Sequence, residues 1–309
     1  MKDSKHSTRL VLCLATVYLV WGSSFLFTKI AVSNLPVALF SGMRFLIAGC
    51  LLMTVARVYG ADRLPTRLIE WRHVTIAGFF MVLVSNGLNS WAIQYIPSNQ
   101  SALLNGTSAF WIAGLGVFGK RGHPLTPRSL FGLGVGFVGA VLMLIPKGPL
   151  SSEGLMAQCG VLTGCLGWSL GTLYYRSIDT GLSSLMFMAL QMFMGGLMFM
   201  GIAALHGDAA HFSPSPAGLV SMAYLTLFSS CLAYTAYGWL AVNSTPTIIG
   251  TYSYVNPAIA AFLGWQFRDE LLSPTQVAGM VIIIAGVLLL TLPRRGVMDP
   301  KELPAKRSA

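Results

Sequence analysis

The amino-acid sequence predicts an all-α integral membrane protein, with ten transmembrane helices arranged as two inverted five-helix repeats. Three observations carry this prediction. The composition is too poor in charge for a water-facing surface, ten apolar stretches are long enough to cross a bilayer, and the chain resembles itself at a displacement of 147 residues.

Of the 309 residues, 54% are apolar and 10% charged, against roughly 25% charged in an average soluble domain. Mean hydropathy is +0.68. The bilayer is the solvent in which such a composition is stable.

A helix needs about 20 apolar residues to cross a hydrocarbon core of about 30 Å. Stretches of that length fall at roughly 10–32, 37–58, 73–94, 98–119, 127–146, 154–175, 184–205, 216–240, 246–267 and 273–292. Their unbroken apolarity does not fit the alternating strands of a membrane barrel. Lys2, Lys5 and Arg9 before the first stretch resemble a signal-peptide start. That stretch is too long for a signal core and lacks a small-residue cleavage site, so it reads as a retained helix.

Basic residues set the topology. With ten helices and a cytoplasmic N-terminus, the cytoplasmic segments hold Lys2, Lys5 and Arg9; Arg57, Arg63, Arg67 and Arg72; Lys120, Arg121 and Arg128; Arg176; and Arg294, Arg295, Lys301, Lys306 and Arg307. The other side holds Lys29, Lys147 and Arg268, a split of sixteen to three. Both termini are therefore expected in the cytoplasm of a bacterial cell, beneath its inner membrane. The net charge of +10 sits in short loops beside helix ends, where it fits contact with anionic lipids and not nucleic acid. The five cysteines lie within apolar stretches and form no Cys-x-x-Cys pair. They imply neither disulfides nor a metal site, and no cofactor is indicated.

The internal repeat is the strongest pointer to function. At the displacement of 147, Trp21 falls on Trp168, Lys29 on Arg176, Arg44 on Gln191, Gly49 on Gly196, Pro127 on Pro274, Gly132 on Gly279 and Gly139 on Gly286. The repeats are residues 1–147 and 148–309, the second ending in the basic tail. Five is an odd number, so the second repeat must enter the membrane from the opposite side. Inverted repeats are common in secondary transporters, where two related packings give inward-open and outward-open states. No P-loop is present to couple transport to ATP hydrolysis. An integral-membrane enzyme would need a nucleophile or metal constellation within the spans, and there is none. A channel or receptor leaves the inverted repeat unexplained.

Several motifs add a resemblance. Trp21-Gly22-Ser23-Ser24-Phe25 ending in Lys29, and Arg44-Phe45-Leu46-Ile47-Ala48-Gly49, resemble the first two helices of the EamA family in the drug/metabolite transporter superfamily. Ala92 to Pro97 leading into Ala102-Leu103-Leu104 resembles its helix 3–4 turn, and Tyr254-Val255-Asn256-Pro257 with Glu270, Gln276, Gly279 and Gly286 its second repeat. The resemblance implies a ten-helix carrier with a central cavity lined by helices 1, 3, 4, 6, 8 and 9, exporting or importing metabolites or drugs. One departure is His123, which stands where the first repeat would match Glu270.

Polar side chains at membrane depth usually face a cavity or another helix. Ser98, Ser101, Asn105 and Ser108 share one stripe of helix 4, and Asn86, Asn89 or Ser90, and Gln94 one of helix 3. Together with Trp21, Ser24, Trp168, Thr172, Tyr234, Tyr237, Tyr252 and Asn256, the set Asn86, Gln94, Ser101 and Asn105 is the expected substrate site. Interhelical hydrogen bonding is the alternative for each. Trp21 and Trp168, far from the interfaces, either flank a flat substrate or pack against helices. Arg44 either docks a substrate carboxylate, or bonds helix-end carbonyls or snorkels outward. The arginine resembles a general feature of the family, whose members differ in substrate, and that resemblance favours the second. Pro257 removes a backbone hydrogen bond mid-helix and is a candidate hinge. Gly132-x-x-x-Gly136 allows close packing, within a monomer or across a homodimer.

All ten acidic and all five histidine side chains lie in termini, loops or helix boundaries. A proton-coupled multidrug exporter, the alternative function, normally needs one at membrane depth. The expectation is therefore a secondary transporter of small metabolites, exporting amino acids or similar neutral, zwitterionic or aromatic solutes by alternating access. Any coupling carboxylate would sit at a boundary, as Glu270 does.

Overall fold

The computed structural model describes residues 2–60, 62–116, 127–144, 151–244 and 252–291. Among them every regular element is a helix. In chain order these are α1 (Lys2–Val32), α2 (Val37–Tyr59), α3 (Leu68–Ala92), α4 (two pieces, Ser98–Asn105 and Ser108–Leu115), α5 (Pro127–Leu144), α6 (Ser152–Ser177), α7 (Ser184–His206), α8 (Pro216–Asn243), α9 (Tyr252–Arg268) and α10 (Pro274–Thr291). Five of them, α1, α2, α3, α7 and α8, are long and apolar enough to cross a membrane.

Local chemistry sets the helix ends. Ser151, Ser183 and Ser215 turn their hydroxyls back to accept from Gly154 N, Met186 N and Gly218 N at 3.0–3.1 Å, which satisfies first-turn donors of α6, α7 and α8. Gly207, at φ +69°, closes α7 in the left-handed region.

The displacement of 147 recurs in the elements. α2 and α7 begin at Val37 and Ser184 and end at Tyr59 and His206; α5 and α10 begin at Pro127 and Pro274 and end at Leu144 and Thr291. α3 and α8 each contain a π-helical stretch, Gly78–Asn86 and Leu225–Ala233, again 147 apart. π segments are rare and concentrate at functional sites.

Equivalent helices pack on each other. A Cβ on Gly49 would stand 2.8 Å from Phe193 N, and one on Gly196 would stand 2.7 Å from Leu46 N. Leu46 and Phe193 are themselves equivalent, so the contact is reciprocal about a pseudo-two-fold axis. Residue numbers rise along α2 as they fall along the facing α7, so the two run antiparallel. α5 and α10 repeat the arrangement: a Cβ on Gly286 would stand 2.7 Å from Gly136 N and 2.8 Å from Gly132 O. The Gly132-x-x-x-Gly136 pattern is therefore engaged within this chain. The first helix of each half crosses to the other half, α1 packing on α8 and α9, and α6 on α3 and α4.

The structure departs from the expected boundaries in several places: α1 already starts at Lys2, ahead of the expected residue 10, and α8 runs on to Asn243. α3 starts at Leu68 and stops at Ala92. α4 is not one continuous rod but breaks at Gly106 and Thr107, where Thr107 Oγ1 donates to Leu104 O at 2.7 Å and α4 closes on α9, Gly106 facing Ser253 O. His123, Lys120, Arg121, Lys147, the tail basic residues from Arg294 to Arg307, and the expected helical ends 117–119, 145–146 and 246–251 lie outside the described residues. All five cysteines are free thiols.

Candidate functional site

Five aromatic side chains meet where α1, α6, α8 and α9 converge. The Trp21 ring centroid lies 5.4 Å from Trp168, 5.5 Å from Tyr234, 5.1 Å from Tyr237 and 5.6 Å from Tyr252. Trp168 in turn lies 5.5 Å from Tyr234 and 5.0 Å from Tyr237. The edge-to-face geometry of several of these pairs suits the ring quadrupoles. The two tryptophans touch each other at 85°, so they do not flank a gap in this conformation. They form part of the wall of a larger space.

That space is a cleft of about 750 Å³, its open mouth included. From the aromatic cluster it extends along α1 from Trp21 to Thr28 and along α3 from Ser85 to Ser90, toward the C-terminal ends of both helices. Three equivalent pairs line it, Trp21 with Trp168, Asn105 with Tyr252 and Gly106 with Ser253, so it straddles the pseudo-two-fold axis.

Four asparagines stand among the serine hydroxyls of its polar wall. Asn89 Oδ1 accepts from Ser101 Oγ at 2.6 Å and from Asn105 Nδ2 at 2.8 Å, tying α3 to α4. Asn86 Nδ2 donates to Tyr234 OH and to Met81 O, both at 2.7 Å. Asn256 is buried, and its Oδ1 has no hydrogen-bond partner among the described residues. No carboxylate lines the cleft among the described residues.

Arg44 is the one cation in the described wall. It is 4% exposed, which excludes snorkelling. Nor does it bond helix-end carbonyls: Nε donates to Ser230 Oγ at 2.8 Å and Nη2 to Ser229 Oγ at 3.1 Å. Both hydroxyls sit in the π segment of α8. Trp21 Nε1 donates to the carbonyl of the same Ser229 at 3.3 Å.

Of the expected site residues, Trp21, Ser24, Asn86, Asn105, Trp168, Tyr234, Tyr252 and Asn256 line the cleft, as do Arg44 and Pro257. Ser101, Thr172 and Tyr237 stand behind it: Ser101 holds Asn89, and Thr172 Oγ1 shares a 3.0 Å hydrogen bond with Tyr237 OH. Gln94 is elsewhere. The helical stripe that suggested it ends at Ala92, and Gln94 lies exposed in the following turn, with Nε2 3.4 Å from Val32 O. Ser98 is also outside the cleft, at the first turn of α4. There it meets Glu270, the boundary carboxylate considered for coupling, which accepts from Ser98 N, Ser98 Oγ and Asn99 N at 2.6–3.1 Å. Ser85, Ser229 and Ser253 line the cleft without having been singled out. The first two lie in the π segments, whose winding carries them off the α-helical stripes.

Comparison with known proteins agrees with this architecture. The inner membrane transporter YedA of Escherichia coli K12, itself uncharacterized, is 30% identical over 281 residues, covering 90% of this chain and 89% of its own. A Salmonella typhimurium protein named a probable amino-acid metabolite efflux pump is 26% identical, covering 88% of this chain and 91% of its own. The S-adenosylmethionine/S-adenosylhomocysteine transporter of Chlamydia muridarum is 24% identical, covering 88% of each chain. A solved crystal structure superposes with a TM-score of 0.68 at 17% identity, covering 94% of this chain and 99% of the other, and shows a shared fold. The EamA-like transporter family model matches twice, over residues 8–145 and 155–292, and the chain belongs to that family.

Proposed function

We propose that this chain is a secondary carrier that exports small metabolites, amino acids or similar neutral, zwitterionic or aromatic solutes, by alternating access through the central cleft. In this reading ten helices span a bacterial inner membrane, residues 1–147 and 148–309 form inverted repeats, and both termini face the cytoplasm. The observation that carries it is the cleft on the pseudo-two-fold axis, closed at one end by the aromatic cluster. Exchange of the two repeats' conformations would move that closure to the other end while the solute stays in place. The Salmonella relative named as an efflux pump supports export.

The test is counterflow in proteoliposomes loaded with unlabelled amino acids. Transient accumulation of the labelled solute, lost in Asn105→Leu, is the expected result. Linear, non-saturating flux would mark a channel, and no flux with any amino acid or aromatic metabolite would remove the reading.

A further inference from the structure

Resting on the carrier reading above, we infer that Arg44 is the docking point for a solute carboxylate, making the cleft selective for carboxylate-bearing solutes over amines and neutral analogues.

A guanidinium carries five N–H donors. Two of those of Arg44 are used, both on neutral serine hydroxyls. Nη1 has no hydrogen-bond partner among the described residues, and the ion pair found there is Arg63 with Glu70, remote from the cleft. A buried charge without a counter-charge is costly, and the wall of this cleft supplies none. A carboxylate entering with the solute would supply it, and its two oxygens match the planar fork.

Helix packing does not call for the charge. The equivalent position in the second half is Gln191, fully buried and neutral, with Nε2 2.9 Å from Met188 Sδ. α2 and α7 face each other through the same reciprocal contacts, yet only the arginine lines the cleft. The charge is therefore specific to the cleft side of the pair.

Ser229 places the anion site beside the aromatic cluster, since its hydroxyl receives Arg44 and its carbonyl receives Trp21. A solute with a ring a few bonds from its carboxylate can touch both. The unpartnered Asn256 Oδ1 is available to accept an N–H from a zwitterion. The cleft thus carries a single positive pole among the described residues.

Binding of 3-phenylpropionate, 3-phenylpropanamide and 2-phenylethylamine to the purified protein tests this by calorimetry. The carboxylate is expected to bind at least about tenfold more tightly than the other two. Arg44→Gln brings it down to the amide's level, and Arg44→Lys retains part of the difference. Equal affinities in the unmodified protein, no binding of the carboxylate, or unchanged selectivity in Arg44→Gln overturns the inference. Should Arg44→Gln fail to fold, the ranking in the unmodified protein decides alone. Asn105→Leu separates the two readings. If it abolishes binding while carboxylate and amide bind the unmodified protein equally, only the arginine's role falls. If it leaves all binding intact, the cleft itself is not the site.

Discussion

Lys29 and Arg176, equivalent residues of the two halves, each close the C-terminal end of a π-containing helix. Lys29 Nζ at the end of α1 donates to Ile93 O, Gln94 O and Ile96 O at 2.7, 3.2 and 3.1 Å. Arg176 Nη1 at the end of α6 donates to Ala241 O at 2.7 Å. Gln94 and Ala241 are themselves 147 apart. A cation suits the negative end of a helix and satisfies carbonyls with no intrahelical partner.

Removing the first clamp should therefore loosen the α3–α4 turn. Lys29→Met is expected to lower stability by about 1.5–3 kcal/mol, the range for hydrogen bonds to a charged group. Lys29→Arg should recover most of it. Thermal unfolding in detergent reads both, and an unchanged midpoint for Lys29→Met would show the clamp to be energetically idle.

The start of α4 depends on a residue from the other half. Pro97 at the cap position offers no acceptor side chain, and Glu270 supplies one across the bundle. Asp269, at φ +53°, turns the chain after α9 through the left-handed region, and Glu270 N returns to Gly264 O at 3.2 Å. Glu270→Ala is expected to lose about 1–2 kcal/mol, the usual value of an N-cap. Hydrogen exchange should rise at Ser98 and Asn99. Equal protection in the variant would contradict this account.

Two glycines of the α2–α7 pair should behave oppositely. A Cβ on Gly49 would press on the α7 backbone, whereas one on Gly201 meets nothing within 4 Å. Gly49→Ala is expected to destabilise by about 1–3 kcal/mol through overpacking. Gly201→Ala, in the interior of α7, should be neutral or stabilising by up to about 1 kcal/mol. Melting temperatures that move together would deny the close approach.

Accessibility should follow the cleft's polarity. In a cysteine-free background, Asn89→Cys lies toward the open end, while a cysteine at Tyr237 lies behind the aromatic cluster, where Tyr237 is fully buried. A membrane-impermeant maleimide added to intact cells is expected to label the first and spare the second. Labelling of Tyr237→Cys alone would place the opening on the other side.

Much of this molecule is local in origin and legible in the sequence. Apolar run lengths report the bilayer as solvent, and the displacement of 147 reports two copies of one packing unit, because helix formation and small-residue contacts depend on residues a few positions apart. The same displacement pointed to Trp21 and Trp168 as partners. Tertiary structure alone decided what those partners do: the rings touch each other because α1 and α6 both cross to the opposite half. It alone removed Gln94 from the site, since α3 ends before the stripe does, and brought Ser229 onto Arg44 beside Ser230, since a π turn displaces side chains from the α-helical period. A buried arginine reads the same in sequence whether it faces carbonyls, lipid or a cleft. Only the arrangement of its neighbours in space distinguishes them.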